Sequence, residues 1–280
     1  MPIDLHTHSH FSDGSESPAA VLRAAAAARL TAVALTDHDT SDGIPEARSS
    51  AVTEGVELIP GIEISCEWER GGMHMVVLFL EPGSGPLQDA LLEIRRGRAE
   101  RNHTIIDRLR VLGIDITYEE VAAEAGTGLV GRPHIAAVLT RKGVVDGPNE
   151  AFRDLLGHGR PGYVPRRRLT PEASIRLARE SRAVPVLSHP HTLGLDSAEE
   201  YSATLRNLRS VGLVGLEAYY AEYSPDERLE LASVARSHGL IPSGGSDYHG
   251  SYRPGVEVGT GRGDLNVPGE LLEELRAART

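Results

Sequence analysis

The sequence predicts an α/β protein: a barrel of parallel β/α units interrupted by a long helical insertion. Three observations carry this expectation. Short apolar runs alternate with helical segments in both outer parts of the chain, the pattern that folds into a parallel sheet covered by helices. Between about 86 and 160 the alternation stops and only helical patterning remains. Histidines and carboxylates recur where the apolar runs end, and a parallel β/α barrel collects those strand ends on the face where its active site forms.

IDLHTH at 3–8 reads as the first strand, stopped by SDGSES. Ser17 and Pro18 then supply the N-cap and first-turn signals of an alanine-rich helix over 18–29. TAVALTDHD is a buried strand ending at 37–39, followed by a helix through 45–54 and the strand VELIPGIEIS, whose far half carries Glu63. Past the Gly71-Gly72 turn, MHMVVLFL is a further strand. From Pro86 the chain reads LQDALLEIRRGRAERNHTIIDRLRVLG, a long helix, and then helices over 117–125, 132–142 and 149–156. Alternation returns with a helix over 171–182, VPVLSHPH at 184–191, a helix near 198–211, VGLEAYY at 214–220, a helix over 225–238, LIPSGGSDYHG and a closing helix near 268–278. The expected organisation is a barrel in two parts, 1–83 and 166–280, with a helical insertion (cap) domain over 84–165.

At 280 residues, 40% hydrophobic and 25% charged, the chain has the size and composition to bury a full core. No apolar run reaches the roughly 18–20 residues of a membrane span, and MPIDLHTHS lacks the basic start and apolar centre of a signal peptide. We therefore expect a cytoplasmic protein with no membrane partner, and the pattern points to no obligate protein partner. The lone Cys66 reads as a small core residue. Forty acidic against twenty-nine basic residues give a formal charge of −11, which opposes broad binding to a phosphate backbone. Bound divalent cations would offset that charge locally.

Nine residues fall at the predicted strand ends: His6, His8, Asp13, His38, Glu63, His74, His189, Asp247 and His249. Side chains two apart on a strand share a face, so His6 and His8 can chelate one ion, and Asp247 with His249 repeats the arrangement. A single H-x-H is weak evidence; the joint pattern is not, because each other member would need its own bland explanation. Imidazole and carboxylate without thiolate suit zinc, manganese or iron. Nine donors exceed the needs of one ion, so the expectation is two or three divalent metals bridged by a carboxylate. His10, His103, His158 and His238 read as surface or structural residues, and the basic run 166–168 as a solvated face.

DLHTHSHFSDG, ALTDHD, GIEIS, SHPH and GGSDYHG resemble the successive motifs of the PHP (polymerase and histidinol phosphatase) family. The resemblance implies a distorted, TIM-like (β/α)7 barrel with a trinuclear metal centre that hydrolyses phosphate esters. It places His6, His8, Glu63 and Asp247 on one metal, Asp13, His38 and His249 on a second, and Glu63, His74 and His189 on a third, with Glu63 as the bridge. The nucleophile it implies is a metal-bridging hydroxide, acidified from water by the divalent ions.

The insertion narrows the resemblance to stand-alone members that remove the 3′-phosphate from nucleoside 3′,5′-bisphosphates, some of which also trim short RNA from its 5′ end. LVGRPHIA at 129–136 and GHGRPGYV at 157–164 resemble their substrate-phosphate segments, which nominates Arg132, His134 and Arg160. Arg160 stands where some relatives have lysine, keeping the charge but changing its hydrogen-bond geometry. His191 and His134 are the candidates to protonate the leaving oxygen. The partner implied is a small phosphorylated nucleotide, with short RNA ends as a further substrate. The alternatives are a histidinol-phosphatase-like phosphomonoesterase and a non-catalytic metal-binding PHP module; the completeness of the ligand set argues against the latter.

Overall fold

The computed structural model describes residues 2–126 and 130–279; Leu129, the first residue of LVGRPHIA, lies outside the described residues. Two compact units emerge, Met1–Leu91 with Arg168–Thr280, and Leu92–Arg167.

The first unit is built on seven strands that neighbour one another in chain order: β1 (Ile3–Asp4), β2 (Ala32–Leu35), β3 (Glu57–Ser65), β4 (His74–Leu78), β5 (Val184–Leu187), β6 (Gly215–Tyr220) and β7 (Ile241–Gly245). Backbone bonds close the ring between its two ends. Leu5 N donates to Gly244 O at 3.0 Å, Asp247 N to His6 O at 2.8 Å and His8 N to Tyr248 O at 2.9 Å. The result is a nearly closed, mixed α/β barrel.

Two features depart from the simplest expectation. The run 3–8 is regular strand only over Ile3–Asp4, because the buried Asp4 carboxylate accepts from the backbone N–H groups of His6 (3.2 Å), Ser246 (2.9 Å) and Gly259 (2.8 Å). Those bonds tie the start of the run to the segment after β7, while Thr7 stays against the end of β2, accepting from Thr36 N at 2.9 Å and donating from its hydroxyl to Ala34 O at 2.6 Å. The second departure is β4, which runs antiparallel to both β3 and β5 while the other neighbours are parallel. The Gly71-Gly72 connection contains no helix to carry the chain back across the sheet, so the strand must return in the opposite direction.

The helices of this unit start where side chains satisfy their free N–H groups. Ser17 Oγ accepts from Ala20 N at 3.1 Å at the head of α1 (Pro18–Ala27), and Val21, Leu22 and Ala25 then pack with Val33 and Leu35 of β2. α2 (Ile44–Glu54) adds Ile44 and Ala47 to that cluster. In the second part of the barrel Thr170, Ser197 and Ser224 cap the next three helices of this unit in turn. The barrel core joins Ile3, Leu5, Ile59, Leu78 and Val186 to Leu271, Leu272 and Leu275 of the closing helix, Glu270–Ala277.

The second unit contains helix only among its described regular elements. Numbering in chain order, α3 (Pro86–Val111) leads into it, followed by α4 (Tyr118–Ala125), α5 (Arg132–Arg141) and α6 (Pro148–Ala151), which continues into one turn of π-helix over Phe152–Leu156. It has its own core, with Ile105, Leu109, Ile116, Val121, Ile135, Leu139 and Leu156 all buried. Among the described residues no helix is long and apolar enough to cross a membrane.

The barrel closure is tight enough to test. A Cβ on Gly245 would stand 2.4 Å from both His6 N and His6 Cβ and 2.8 Å from Asp4 Oδ1, whereas a Cβ on Gly97 of α3 meets nothing within 4 Å. Gly245→Ala should cost about 1–3 kcal/mol of stability by overpacking, while Gly97→Ala should be neutral or stabilising by up to roughly 1 kcal/mol from helix propensity. Thermal unfolding of the two variants compares them; an unchanged melting temperature for Gly245→Ala would mean that the closure is slack.

Candidate metal centre

The barrel brings the predicted residues to one end of its strands. His6 and His8 lie on the β1–β7 seam. His38 follows β2, where it bridges to Glu63 of β3, and Asp39 N donates to Glu63 O at 2.9 Å. His189, Asp247 and His249 lie just beyond β5 and β7. His74 is the first residue of β4, paired with Ser65, the last of β3; it reaches the same end only because β4 is antiparallel. Asp13 sits on a loop fastened by Asp37, which accepts from Ser9 N at 2.7 Å, Ser9 Oγ at 2.7 Å and Ser12 Oγ at 2.8 Å. Gly14 allows that loop its close approach, since a Cβ there would lie 2.7 Å from His8 O.

Glu63, only 1% exposed, is central. Its Oε2 lies 3.4 Å from His6 Nε2, 3.4 Å from His8 Nε2 and 3.2 Å from His38 Nε2, and its Oε1 lies 3.4 Å from His74 Nδ1 and 2.9 Å from His189 Nε2. Its two oxygens thus face two sets of imidazoles, the layout of a bridging carboxylate. Asp247 Oδ1 lies 3.4 Å from His6 Nε2 and 3.2 Å from His8 Nε2. Asp13 Oδ1 is 3.5 Å from His8 Nδ1 and 3.3 Å from His249 Nε2, with Oδ2 3.5 Å from His38 Nε2.

Three groups have ligand atoms within 4.8 Å of one another: His6, His8, Glu63 and Asp247; His8, Asp13, His38 and His249; and His38, Glu63 and His74. The third contains His38 where the family resemblance implies His189, whose Nε2 is turned into its hydrogen bond with Glu63.

The donor set fits divalent metal. His6 Nε2, both nitrogens of His8, His38 Nδ1 and His74 Nδ1 are buried with no hydrogen-bond partner among the described residues. Buried polar atoms are rarely left in that state, and imidazole nitrogens facing carboxylates are what a borderline cation requires. The electrostatics agree. Burial would push the His6 imidazole down, but Glu217, Glu63 and Asp247 outweigh it and hold the ring well above the usual histidine range. His249 is likewise driven down by burial yet raised overall to about 9, chiefly by Asp13 and Asp247. Burial would raise Glu63 and Asp247, but the surrounding imidazoles hold both well below the usual carboxylate range. The cluster therefore attracts positive charge, for which protons and a divalent cation compete at the same nitrogens.

Residues that the sequence pattern did not single out complete the surroundings. Glu217 of β6 places Oε1 2.9 Å from His6 Nδ1, which leaves Nε2 for the cluster, and its Oε2 accepts from His189 N at 2.6 Å. The available signal was a carboxylate inside the apolar run VGLEAYY, where burial demands a partner. His189 and Asp247 carry positive φ values of 23° and 54°, a conformation that non-glycine residues adopt at some energetic cost and often at functional sites. His191 is exposed, with Nδ1 2.8 Å from Tyr223 Oη and its ring centroid 6.1 Å from that of His189; burial of part of its ring, and then His189, lower its pKa.

In the second unit Arg132 lies over the rings of Phe152 (5.5 Å) and Tyr163 (5.7 Å) and donates from Nη1 to Leu156 O at 3.0 Å. His134 Nδ1 accepts from Gly131 N at 3.1 Å, and burial lowers its pKa. Arg160 is exposed. Arg101, 8% exposed, is a further member missed in the sequence: burial, then Arg132 and Arg166, depress its guanidinium to about 10. The reading of 166–168 as a solvated face is corrected here. Arg166 is half-buried and acts on both Arg101 and Arg132, and Arg168 Nη1 reaches Cys66 O at 3.5 Å, leaving only Arg167 exposed. Basic side chains bury their stems when packed between elements.

The remaining histidines have local partners: His10 stacks on Phe11, His103 on Tyr118, His158 leans on Tyr163, and His238 Nε2 lies 2.7 Å from Ser202 Oγ. Cys66 is buried beside Ser174, and burial pushes its thiol up to about 12, so it is no nucleophile.

Comparison with known proteins yields a consistent set. A family model for the PHP domain matches residues 4–110. The chain is 34% identical to the 5′-3′ exoribonuclease Rnm of Salmonella typhimurium, over 91% of this chain and 87% of that protein. It is 32% identical to the 3′,5′-nucleoside bisphosphate phosphatase of Chromobacterium violaceum, over 92% of this chain and 90% of that protein. Among solved structures, a Bifidobacterium adolescentis protein assigned as a metal-dependent phosphoesterase superposes with a TM-score of 0.80 at 28% identity, covering 100% of this chain and 98% of the other.

Protein purified without chelator should carry more than one transition-metal ion per chain by elemental analysis. Glu63→Ala should lower that number to one or none, because Glu63 faces both sets of imidazoles. A single equivalent in the wild type, or an unchanged content in the variant, would rule out a bridged polynuclear centre.

Proposed function

From the premise that the chain belongs to the PHP family and is a phosphoester hydrolase, we propose that it removes the 3′-phosphate from nucleoside 3′,5′-bisphosphates and leaves the nucleoside 5′-monophosphate. The observation that carries this reading is the coexistence of two opposite charge clusters. The first unit gathers histidines and carboxylates suited to metal; the second places Arg132 and Arg166 close enough to Arg101 that they add to burial in lowering its pKa. The Chromobacterium violaceum relative, matched across nine-tenths of both chains, carries that activity in its name.

Two or three divalent ions, drawn from manganese, zinc and iron, would be held by His6, His8, Glu63 and Asp247, by Asp13, His38 and His249, and by Glu63 with His74 and either His38 or His189. Bound there, such ions supply Lewis acidity toward the phosphoryl oxygens and acidify a water molecule. The chain's own residues do the remaining work. Arg132 and Arg101 offer charge-assisted donors to the second phosphate, with Arg160 as a further cation. His134, whose Nδ1 is occupied by Gly131 N–H, carries its proton on Nε2 and donates from there. His191, with Nδ1 engaged by the Tyr223 hydroxyl, exchanges a proton with the leaving 3′-oxygen through Nε2. The grip on the second phosphate supplies binding energy remote from the reacting centre, which can be spent on orientation there.

A second substrate class, short RNA 5′ ends, is favoured by the 34% identity to an exoribonuclease. The net charge of −11 repels a long polyanion beyond a local positive site, so only the terminal nucleotides need bind.

The test compares kcat/KM for adenosine 3′,5′-bisphosphate, adenosine 3′-monophosphate, histidinol phosphate and a short 5′-phosphorylated RNA under one metal and salt condition. The bisphosphate should lead. Arg132→Ala should lower its kcat/KM by about 10–100-fold, the worth of a charged hydrogen bond, with metal content unchanged and with little effect on the 3′-monophosphate. If histidinol phosphate is the best substrate, or deleting the 5′-phosphate makes no difference, the two-phosphate reading fails.

A further inference from the structure

Asp247 uses its two carboxylate oxygens differently. Oδ1 faces His6 and His8. Oδ2 is gripped from the other side by Arg253 Nη1 at 2.5 Å and by the Tyr220 hydroxyl, which donates to it at 2.9 Å. The same Nη1 donates to Asp247 O at 3.0 Å, and Nη2 donates to Tyr220 Oη at 2.8 Å and to Glu222 Oε1 at 2.9 Å. Glu222 is itself held by Arg262, Nη2 to Oε1 at 2.7 Å and Nε to Oε2 at 2.8 Å. The Arg253 guanidinium also lies over the Tyr220 ring, 5.3 Å from its centroid. A continuous chain of charge-assisted bonds thus runs from Arg262 through Glu222 and Arg253 to Asp247.

We propose that Arg253 is a positioning residue of the metal centre, which together with Tyr220 pins Asp247 Oδ2 so that Asp247 offers a single oxygen, Oδ1, to the site shared with His6 and His8. This inference rests on the metal centre argued above. A carboxylate whose far oxygen is saturated by two donors cannot swing to chelate through both oxygens, and its first oxygen is fixed in direction. The backbone needs the same help. Asp247 sits at φ 54°, and the bond from Arg253 Nη1 to its carbonyl oxygen is one of the contacts available to hold that conformation.

A guanidinium so close to a cation site would by itself weaken cation binding. Glu222, shared between Arg253 and Arg262, offsets part of that charge. The proposal requires orientation to be the larger effect, so removing Arg253 should weaken metal binding rather than strengthen it. Because its donors are already engaged on Asp247, Tyr220 and Glu222, Arg253 is not the residue that grips substrate phosphate.

The experiment loads metal-free wild type, Arg253→Met, Arg253→Lys and Tyr220→Phe with zinc alone and with manganese alone. It measures stoichiometry by elemental analysis and affinity by chelator competition, alongside the melting temperature of the metal-free proteins. Arg253→Met should weaken one site by about 10–100-fold, the usual effect of removing an outer partner of a ligand, while the other ions are retained and the metal-free protein melts as the wild type does. Arg253→Lys should recover part of the loss, since an ammonium can reach Oδ2 but cannot hold Oδ2, the carbonyl and Tyr220 together. Tyr220→Phe should show a smaller loss, and a variant carrying both Arg253→Met and Tyr220→Phe, loaded in the same way, should lose less than the sum, because both groups act on one oxygen.

Unchanged affinity with a raised KM would make Arg253 a substrate contact and overturn the proposal. A lowered metal-free melting temperature with equal loss at every site would make it a general structural residue. If Arg253→Met does not fold, Tyr220→Phe decides alone: wild-type affinity at every site would overturn the pin. A wild type that binds no more than one ion would bring down the metal centre itself, a result separate from any difference among the variants.

Discussion

A buried carboxylate at the mouth of the barrel, Glu63, imposes the condition that the surrounding structure must meet. An ionised side chain removed from water is tolerated only when opposite charge and hydrogen-bond donors surround it. Five imidazoles from four other strands or their ends do so, from His6 and His8 on one side to His74 and His189 on the other. Four of those imidazoles, His6, His8, His38 and His74, have a buried ring nitrogen with no hydrogen-bond partner among the described residues. Carboxylates and imidazoles thus depend on one another, and a cation satisfies both at once. Such an arrangement is costly as a core and economical as a binding site, which is why it belongs to a phosphoesterase and not to a scaffold.

The barrel's irregularities serve that cluster. Past the short β1 the chain, tied down by the buried Asp4, runs between the end of β2 and the segment after β7, and this brings His6 and His8 within reach of Asp247. The reversed β4 delivers its first residue, His74, to the same end at which the parallel strands finish. An ideal barrel of uniformly parallel strands would place a strand's first residue at the opposite end. Around this ring, Glu217, Asp37 and Arg253 hold ligands or ligand-bearing loops without belonging to the cluster. They set directions, and direction is what separates a metal site from a collection of donors.

The second unit contributes chemistry of the opposite sign. Its helices build an independent core, and on that core Arg101, Arg132 and Arg166 accumulate positive charge. The chain as a whole is strongly acidic, so this local concentration of positive charge runs against the overall field.

Much of this protein was legible in its sequence, for reasons of local physics. Alternating apolar runs and helical periods dictate strand and helix wherever the chain is, and the H-x-H and D-x-H spacings place pairs of donors on one strand face whatever the strand's neighbours. The helical insertion was legible because strand patterning disappears there.

Tertiary structure decided what depends on distant partners. The short connection after β3 makes β4 return antiparallel, but that β4 also pairs antiparallel with β5, a strand more than a hundred residues further on, is settled only in the assembled barrel. His38 and His189 both stand against Glu63, and which of its two oxygens each one faces follows from how side chains turn in the assembled barrel. Arg166 reads as one of three exposed cations until the fold packs it near Arg101 and Arg132, and nothing in the sequence marks Arg253 as a partner of Asp247, which the fold places beside it. A sequence records which groups are present and their local spacing. Which oxygen faces the cluster and which is held from behind is fixed only when residues far apart in the chain are packed together, because a hydrogen bond reaches about 3 Å and its direction matters as much as its length.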